Sequence, residues 1–178
     1  MINRKILAFY SPYNGAGKST AAEILEDNMT IILSFADPIR RCAEYINSYF
    51  VNINMLSDEK NESFDEFGGK SLQDFLIYFN QAGRNFYSNI WLDVLQREIQ
   101  WHKDEVDIIV DDLCFPNEYK MLKEEGAKII RITNPEREII KTETEALLED
   151  YNFDYELINY KHNIEEYRTQ LNEMICKL

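Results

Sequence analysis

Cations, cysteine and long apolar runs are what this sequence has least of. Its 178 residues carry 19 Lys and Arg against 32 Asp and Glu, a formal net charge of −13. A chain so balanced repels nucleic acid and anionic membranes, so neither is an expected partner. It repels nucleotides as well. A site for an anionic ligand must therefore gather the few cations locally, which makes the position of each arginine informative. The three cysteines, Cys42, Cys114 and Cys176, are odd in number and far apart. They suggest neither a disulfide framework nor a zinc site, and they fit a reducing, cytoplasmic setting. Only two histidines are present, His102 and His162, both in polar segments and both read as solvated. No apolar run approaches the ~18 residues of a membrane span. Residues 1–5 lead straight into an apolar segment, which argues against a cleaved signal. Repeats, low-complexity tracts and linkers are absent too, and the length fits one domain with a sizeable core.

What is present is a glycine loop in a specific setting. Ser11-Pro12-Tyr13-Asn14-Gly15-Ala16-Gly17-Lys18-Ser19-Thr20 follows the apolar run Ile6–Tyr10 and precedes a helix-like segment. Strand, glycine loop, helix is the context of a phosphate-binding loop. Glycines let backbone N–H groups turn in around an anion, and the helix adds its positive N-terminal end. Residues 14–20 are the expected nucleotide contacts. Lys18 would reach the β and γ phosphates, and the Ser19 hydroxyl would ligate Mg²⁺. The usual spacing has a glycine where Pro12 stands, and Pro offers no N–H and fixes φ.

Hydrophobic patterning predicts strands at 5–10, 30–35, 106–111, 128–133 and 155–158, separated by helices at 18–27, from Asp37-Pro38 onward, 71–81, 90–103, 116–125 and 163–177. Residues 52–70 read as an irregular, acidic excursion. Alternating strands and helices predict an α/β fold, a five-stranded parallel sheet with helices on both faces. Ligands of such sheets bind at the strands' carboxyl ends, where the motifs sit.

Three stretches together resemble the bacteriophage-type deoxynucleoside monophosphate kinases, within the P-loop nucleoside monophosphate kinase group. They are the glycine loop, Ser34-Phe35-Ala36-Asp37-Pro38-Ile39-Arg40, similar to S-F-A-D-P-L-K, and Asp112-Leu113-Cys114-Phe115-Pro116-Asn117-Glu118, similar to D-V-R-F-P-N-E. Gly83-Arg84 with Ile90-Trp91 resembles a further G-R…W segment. The resemblance implies a single P-loop NTPase domain, with a core over about 1–35 and 104–178. It also implies a helical acceptor-binding insertion over about 36–103 and a lid candidate over about 134–150. ATP and Mg²⁺ are the implied cofactors and a deoxynucleoside monophosphate the implied partner, in the cytoplasm (the host's, if phage-encoded), with a homodimer left open.

Phosphoryl transfer between two anions needs cations more than a base. Arg40, Arg41 and Arg84 are the candidates for the acceptor phosphate, since guanidinium binds phosphate bidentately. Lys18, Arg84, Asp112 and Asp37 form the expected catalytic set, and Asp37, Asn117 and Glu118 join the arginines at the substrate. Asp112 ends an apolar strand as a metal-organising carboxylate does, beside Asp111. The resemblance favours Asp112, while position alone permits either. Ser19 and Asp112 are thus the expected metal ligands. Arg131 and Arg137 are lid candidates. Cys114 stands where the family has arginine, and Lys120, Arg40 or Arg41 could stand in. Asn159 is a candidate contact for adenine or for the glycine loop. Phe79, Phe86, Tyr87 and Trp91 could stack on a base or fill the core. Two other readings stay open: a kinase resembling dephospho-coenzyme A kinase, with Asp37 as general base, and a nucleotide binder without transfer.

Overall fold

A computed structural model describes residues 5–13, 15–50, 62–65, 68–136, 147–160 and 163–178. Along the chain the elements are β1 (Ile6–Tyr10), α1 (Lys18–Leu25), β2 (Thr30–Leu33), α2 (Asp37–Phe50), β3 (Ser63–Phe64), β4 (Lys70–Ser71), α3 (Leu72–Phe86), α4 (Ile90–His102), β5 (Asp107–Leu113), α5 (Pro116–Glu124), β6 (Lys128–Thr133), β7 (Tyr155–Ile158) and α6 (Ile164–Lys177). They fall into two compact units, Met1–Ser34 with Leu95–Leu178, and Phe35–Val94.

The first unit is built on a five-stranded sheet of order β2-β5-β1-β6-β7, every pair parallel. β1 lies at its centre and is buried from end to end, as expected of a strand covered on both faces. Side-chain alternation divides its residues. Leu7 and Phe9, with Ile109, Ile130 and Ile132, pack against Ala21 and Ala22 of α1 and Tyr167, Leu171 and Met174 of α6. Ile6, Ala8, Tyr10, Ile108, Val110 and Ile129 alternate with them on the opposite face and are equally buried. Burial pushes the Tyr10 phenol up to about 12, and its ring stacks on Phe153 at 5.2 Å. No helix among the described residues is long and apolar enough to cross a membrane.

The β1–β5 register carries one irregularity. Ala8 pairs with Val110 and Tyr10 with Leu113, so β5 spends one extra residue around Asp111 and Asp112. Such a bulge re-aims side chains at the end of a strand.

In the second unit α2 packs on α3. A capping box at Ser71 and Asp74 starts α3: the Ser71 hydroxyl accepts the Asp74 amide, and the Asp74 carboxylate accepts the Ser71 amide. β3 and β4 form a short antiparallel pair within the stretch expected to be irregular. The sequence also predicted a loop at Gly83–Ser88, but α3 runs on to Phe86, so Arg84 sits in its last turn. Glycine is usually costly inside a helix. Here a Cβ at Gly83 would lie 2.4 Å from the Trp91 ring, so the missing side chain is what lets that ring pack against the helix.

Candidate nucleotide site

Ser11, 1% exposed, opens the glycine loop, and its Oγ accepts the Tyr13 amide at 3.1 Å. This short turn occupies the place where the usual motif has its first glycine, and it tolerates Pro12 because no N–H is asked of that position. Gly15 and Gly17 follow with φ of 67° and 99°, a region L-residues with side chains rarely enter. Gly17 is the N-cap of α1. Gly17 has no side chain to cap the helix, no described residue is seen to cap it in its place, and the first turn holds no acidic residue. The first amides of a helix have no intrahelical acceptor, so this end offers free N–H groups and partial positive charge to an anion. Lys18 is half-buried and makes no ion pair or hydrogen bond among the described residues. Asn14 lies outside the described residues.

The loop is held from behind. Asn159, just past β7, donates from Nδ2 to the Ala16 carbonyl at 2.8 Å. The Tyr167 hydroxyl, on α6, donates to the Gly17 carbonyl at 3.1 Å. Asn159 had been a candidate for either adenine or the loop, and its contact is with the loop. Tyr167 was not anticipated. The only signal for it was its place in the apolar stripe Tyr167, Leu171, Met174 of an otherwise acidic helix.

Beside the loop stand two adjacent carboxylates with different partners. Ser19 Oγ donates to Asp111 Oδ2 at 3.0 Å. Asp112 instead accepts from the Ser34 hydroxyl, at 2.6 Å. The bulge in β5 lets the two neighbours take different partners: Asp111 meets the start of α1, and Asp112 meets the residue that follows β2. The carboxylate that meets Ser19 is therefore Asp111, not the expected Asp112. Asp111 Oδ1 is buried and has no hydrogen-bond partner among the described residues. An orphaned buried carboxylate oxygen is costly and calls for a missing ligand. A hydroxyl and a carboxylate beside a phosphate cradle are the hard oxygen donors Mg²⁺ takes. Among the described residues no group of three or more His, Cys, Asp or Glu could hold a metal, so a cation here would need phosphate or water oxygens as well.

Several expected substrate residues prove to be occupied structurally. Glu118, 1% exposed, accepts the amides of Cys114 and Phe115 at 3.1 and 3.0 Å and closes the start of α5. Glu118→Ala should cost about 2 kcal/mol in urea denaturation, since it leaves two amides uncapped. Arg131 belongs to β6 in register with Tyr10, not to a lid, and its guanidinium lies over the Phe153 ring at 5.7 Å. Asn117 lines an open surface cavity of about 630 Å³ with Tyr119, Lys120 and Tyr151. Arg137 and His162 lie outside the described residues.

Within the second unit, Asp37 is the first residue of α2, and its Oδ1 accepts from Arg40 at 2.9 Å. Arg41 is exposed. Arg84 donates from Nε to Asn80 Oδ1 at 3.1 Å. A cavity of about 270 Å³ between α2 and α3 is lined by Ile39, Leu76 and Ile77 with Arg40, Gln73 and Asn80. Apolar walls with a few convergent polar groups are the mark of a small-molecule pocket. Of the expected base-stacking aromatics, Phe79 and Trp91 pack on each other at 5.9 Å, whereas Phe86 is 89% exposed and Tyr87 donates to Asp93.

Two solved structures share this architecture. The tunicamycin resistance protein of Deinococcus radiodurans superposes over 97% of this chain and 95% of its own, with a TM-score of 0.51 and 9% identity. A sugar kinase from Janibacter sp. HTCC2649 does so over 98% and 93%, with a TM-score of 0.50 and 16% identity. The chain has the P-loop fold. In sequence it is 29% identical to an Acanthamoeba polyphaga mimivirus protein described as a "Putative deoxynucleotide monophosphate kinase", over 88% of this chain and 89% of that protein. No protein-family profile matches it.

Proposed function

We propose that this protein transfers the γ-phosphate of ATP to a deoxynucleoside or ribonucleoside monophosphate, giving the diphosphate and ADP. The observation that carries the reading is the Ser19–Asp111 pair with its orphaned Oδ1, beside a glycine-capped helix start and a lysine that has no partner among the described residues. The mimivirus relative's description supports the nucleotide class of acceptor. Ser19 and Asp111 are assigned the metal, with Asp111 replacing Asp112 in that role. Mg²⁺ held there would neutralise charge on the phosphate oxygens.

The chain's own groups divide the rest of the work. The α1 amides and the glycine-loop amides receive the phosphate oxygens of ATP, and Lys18 follows the charge that moves onto the β–γ bridge. An oxygen of the acceptor phosphate attacks the γ phosphorus. The bond from phosphorus to the bridging oxygen breaks, and ADP leaves with that electron pair. A phosphate monoester is already nucleophilic near neutral pH, so no general base is needed. The α2–α3 cavity is assigned to the acceptor, with Arg40 of its lining and Arg84, bonded to the lining Asn80, for its phosphate.

The test is a coupled assay of ADP release with ATP, Mg²⁺ and each of the four deoxynucleoside and four ribonucleoside monophosphates in turn. Release that depends on at least one of them is expected, and none with all eight would overturn the reading. Arg84→Met should raise KM for the acceptor by about 10- to 100-fold with KM for ATP little changed. Asp37→Asn separates this reading from a hydroxyl-phosphorylating kinase. A small effect fits a phosphate acceptor, whereas a loss of 10²-fold or more would fit a general base.

A further inference from the structure

We infer that Asn159 and Tyr167 are positioning residues that aim the glycine-loop amides at the nucleotide's phosphates. This rests on the nucleotide-binding reading above and adds to it the part of the chain that sets the loop's working shape.

The argument is one of peptide geometry. In a trans peptide the C=O and the N–H of one plane point in opposite directions. The Ala16 carbonyl accepts from Asn159 Nδ2 at 2.8 Å. The Gly17 N–H, in the same plane, therefore points away from Asn159. The Gly17 carbonyl accepts both the Ala21 amide at 2.9 Å and the Tyr167 hydroxyl at 3.1 Å. The Lys18 N–H, in the next plane, therefore points out of the helix end. Two consecutive amides are held facing outward by two side chains behind them.

The orientation of Asn159 follows from chemistry, because a carbonyl only accepts and the amide must turn its nitrogen to it. The backbone N–H of Asn159 is itself fixed by the Thr133 carbonyl at 2.8 Å, which continues the β6–β7 pairing. Tyr167 is 1% exposed, with its ring in the same apolar cluster as Ala16, Ala21 and Ala22. Burial pushes its phenol up, so it remains an O–H donor at any physiological pH. The fit is close: a Cβ on Gly17 would lie 2.3 Å from Asn159 Nδ2 and 3.6 Å from the Tyr167 ring.

Tyr167→Phe keeps the ring and deletes only the donor. Asn159→Ala removes the other clamp through a different element. Calorimetric titration should show each binding Mg·ATP about tenfold more weakly, the scale of one hydrogen bond to a charged group. Inorganic tripolyphosphate, which has no base or sugar, should lose affinity by the same factor. In turnover, KM for ATP should rise while KM for the acceptor stays put. The melting temperature of nucleotide-free Tyr167→Phe should fall by no more than about 4 °C. Wild-type affinity for Mg·ATP in both variants would overturn the inference, as would an equal rise in KM for both substrates. If the wild-type protein itself fails to bind Mg·ATP, the nucleotide reading is what falls, and this inference goes with it.

Discussion

Asp111→Asn should cut Mg²⁺-dependent ATP turnover by on the order of 10³-fold, against about tenfold for Asp112→Asn. The two carboxylates are adjacent in sequence but bond to different parts of the fold. Asp111 Oδ2 holds the Ser19 hydroxyl, and its Oδ1 is buried without a partner among the described residues. Asp112 is taken up by Ser34. An Asn at 111 keeps the shape and removes the charge that a divalent cation needs. The same change removes the carboxylate whose inner oxygen is left orphaned in the nucleotide-free protein. Its melting temperature should therefore hold or rise while activity collapses, which separates lost metal organisation from lost folding. Equal losses in the two variants, or a larger loss in Asp112→Asn, would move the metal role back to Asp112.

Gly17→Ala is the second large effect. At φ 99° a side chain is already strained, a cost of about 1–3 kcal/mol. The added Cβ would also meet Asn159 Nδ2 at 2.3 Å, so either the loop or the β7–α6 connection must shift. Together these should lower stability by roughly 2–4 kcal/mol. Mg·ATP affinity should fall by about 100-fold or more, since at least two amide contacts to charged oxygens are lost. Urea denaturation and calorimetry read the two numbers separately. Ala at this position with wild-type affinity would mean that the loop amides do not carry the phosphate.

Why the sequence revealed some of this and concealed the rest is a matter of range. The five strands could be read because each is a short apolar run between turn signals, and β7 falls at the predicted 155–158. The glycine loop could be read because its chemistry is written in consecutive residues. Arg84 was misplaced onto a loop because Gly83 looked like a helix breaker. The reason it is tolerated, a tryptophan ring eight residues later, is a tertiary fact. The Asp111 and Asp112 roles were ambiguous because alternation gives two faces but not which one a helix covers. Glu118 looked like a ligand contact, although three residues after Phe115 it is also placed to reach back to that residue's amide, as the acidic half of a capping box does. Asn159 and Tyr167 touch the loop across more than 140 residues of chain, at separations of 143 and 150, which no local pattern encodes.

Those separations have a consequence for synthesis on the ribosome. The loop leaves the exit tunnel early, but the two groups that shape it are translated more than a hundred residues later. A nascent chain halted before residue 159 would carry the whole glycine motif and still grip ATP poorly. Nucleotide capture should thus switch on late in translation, when the last strand and helix dock.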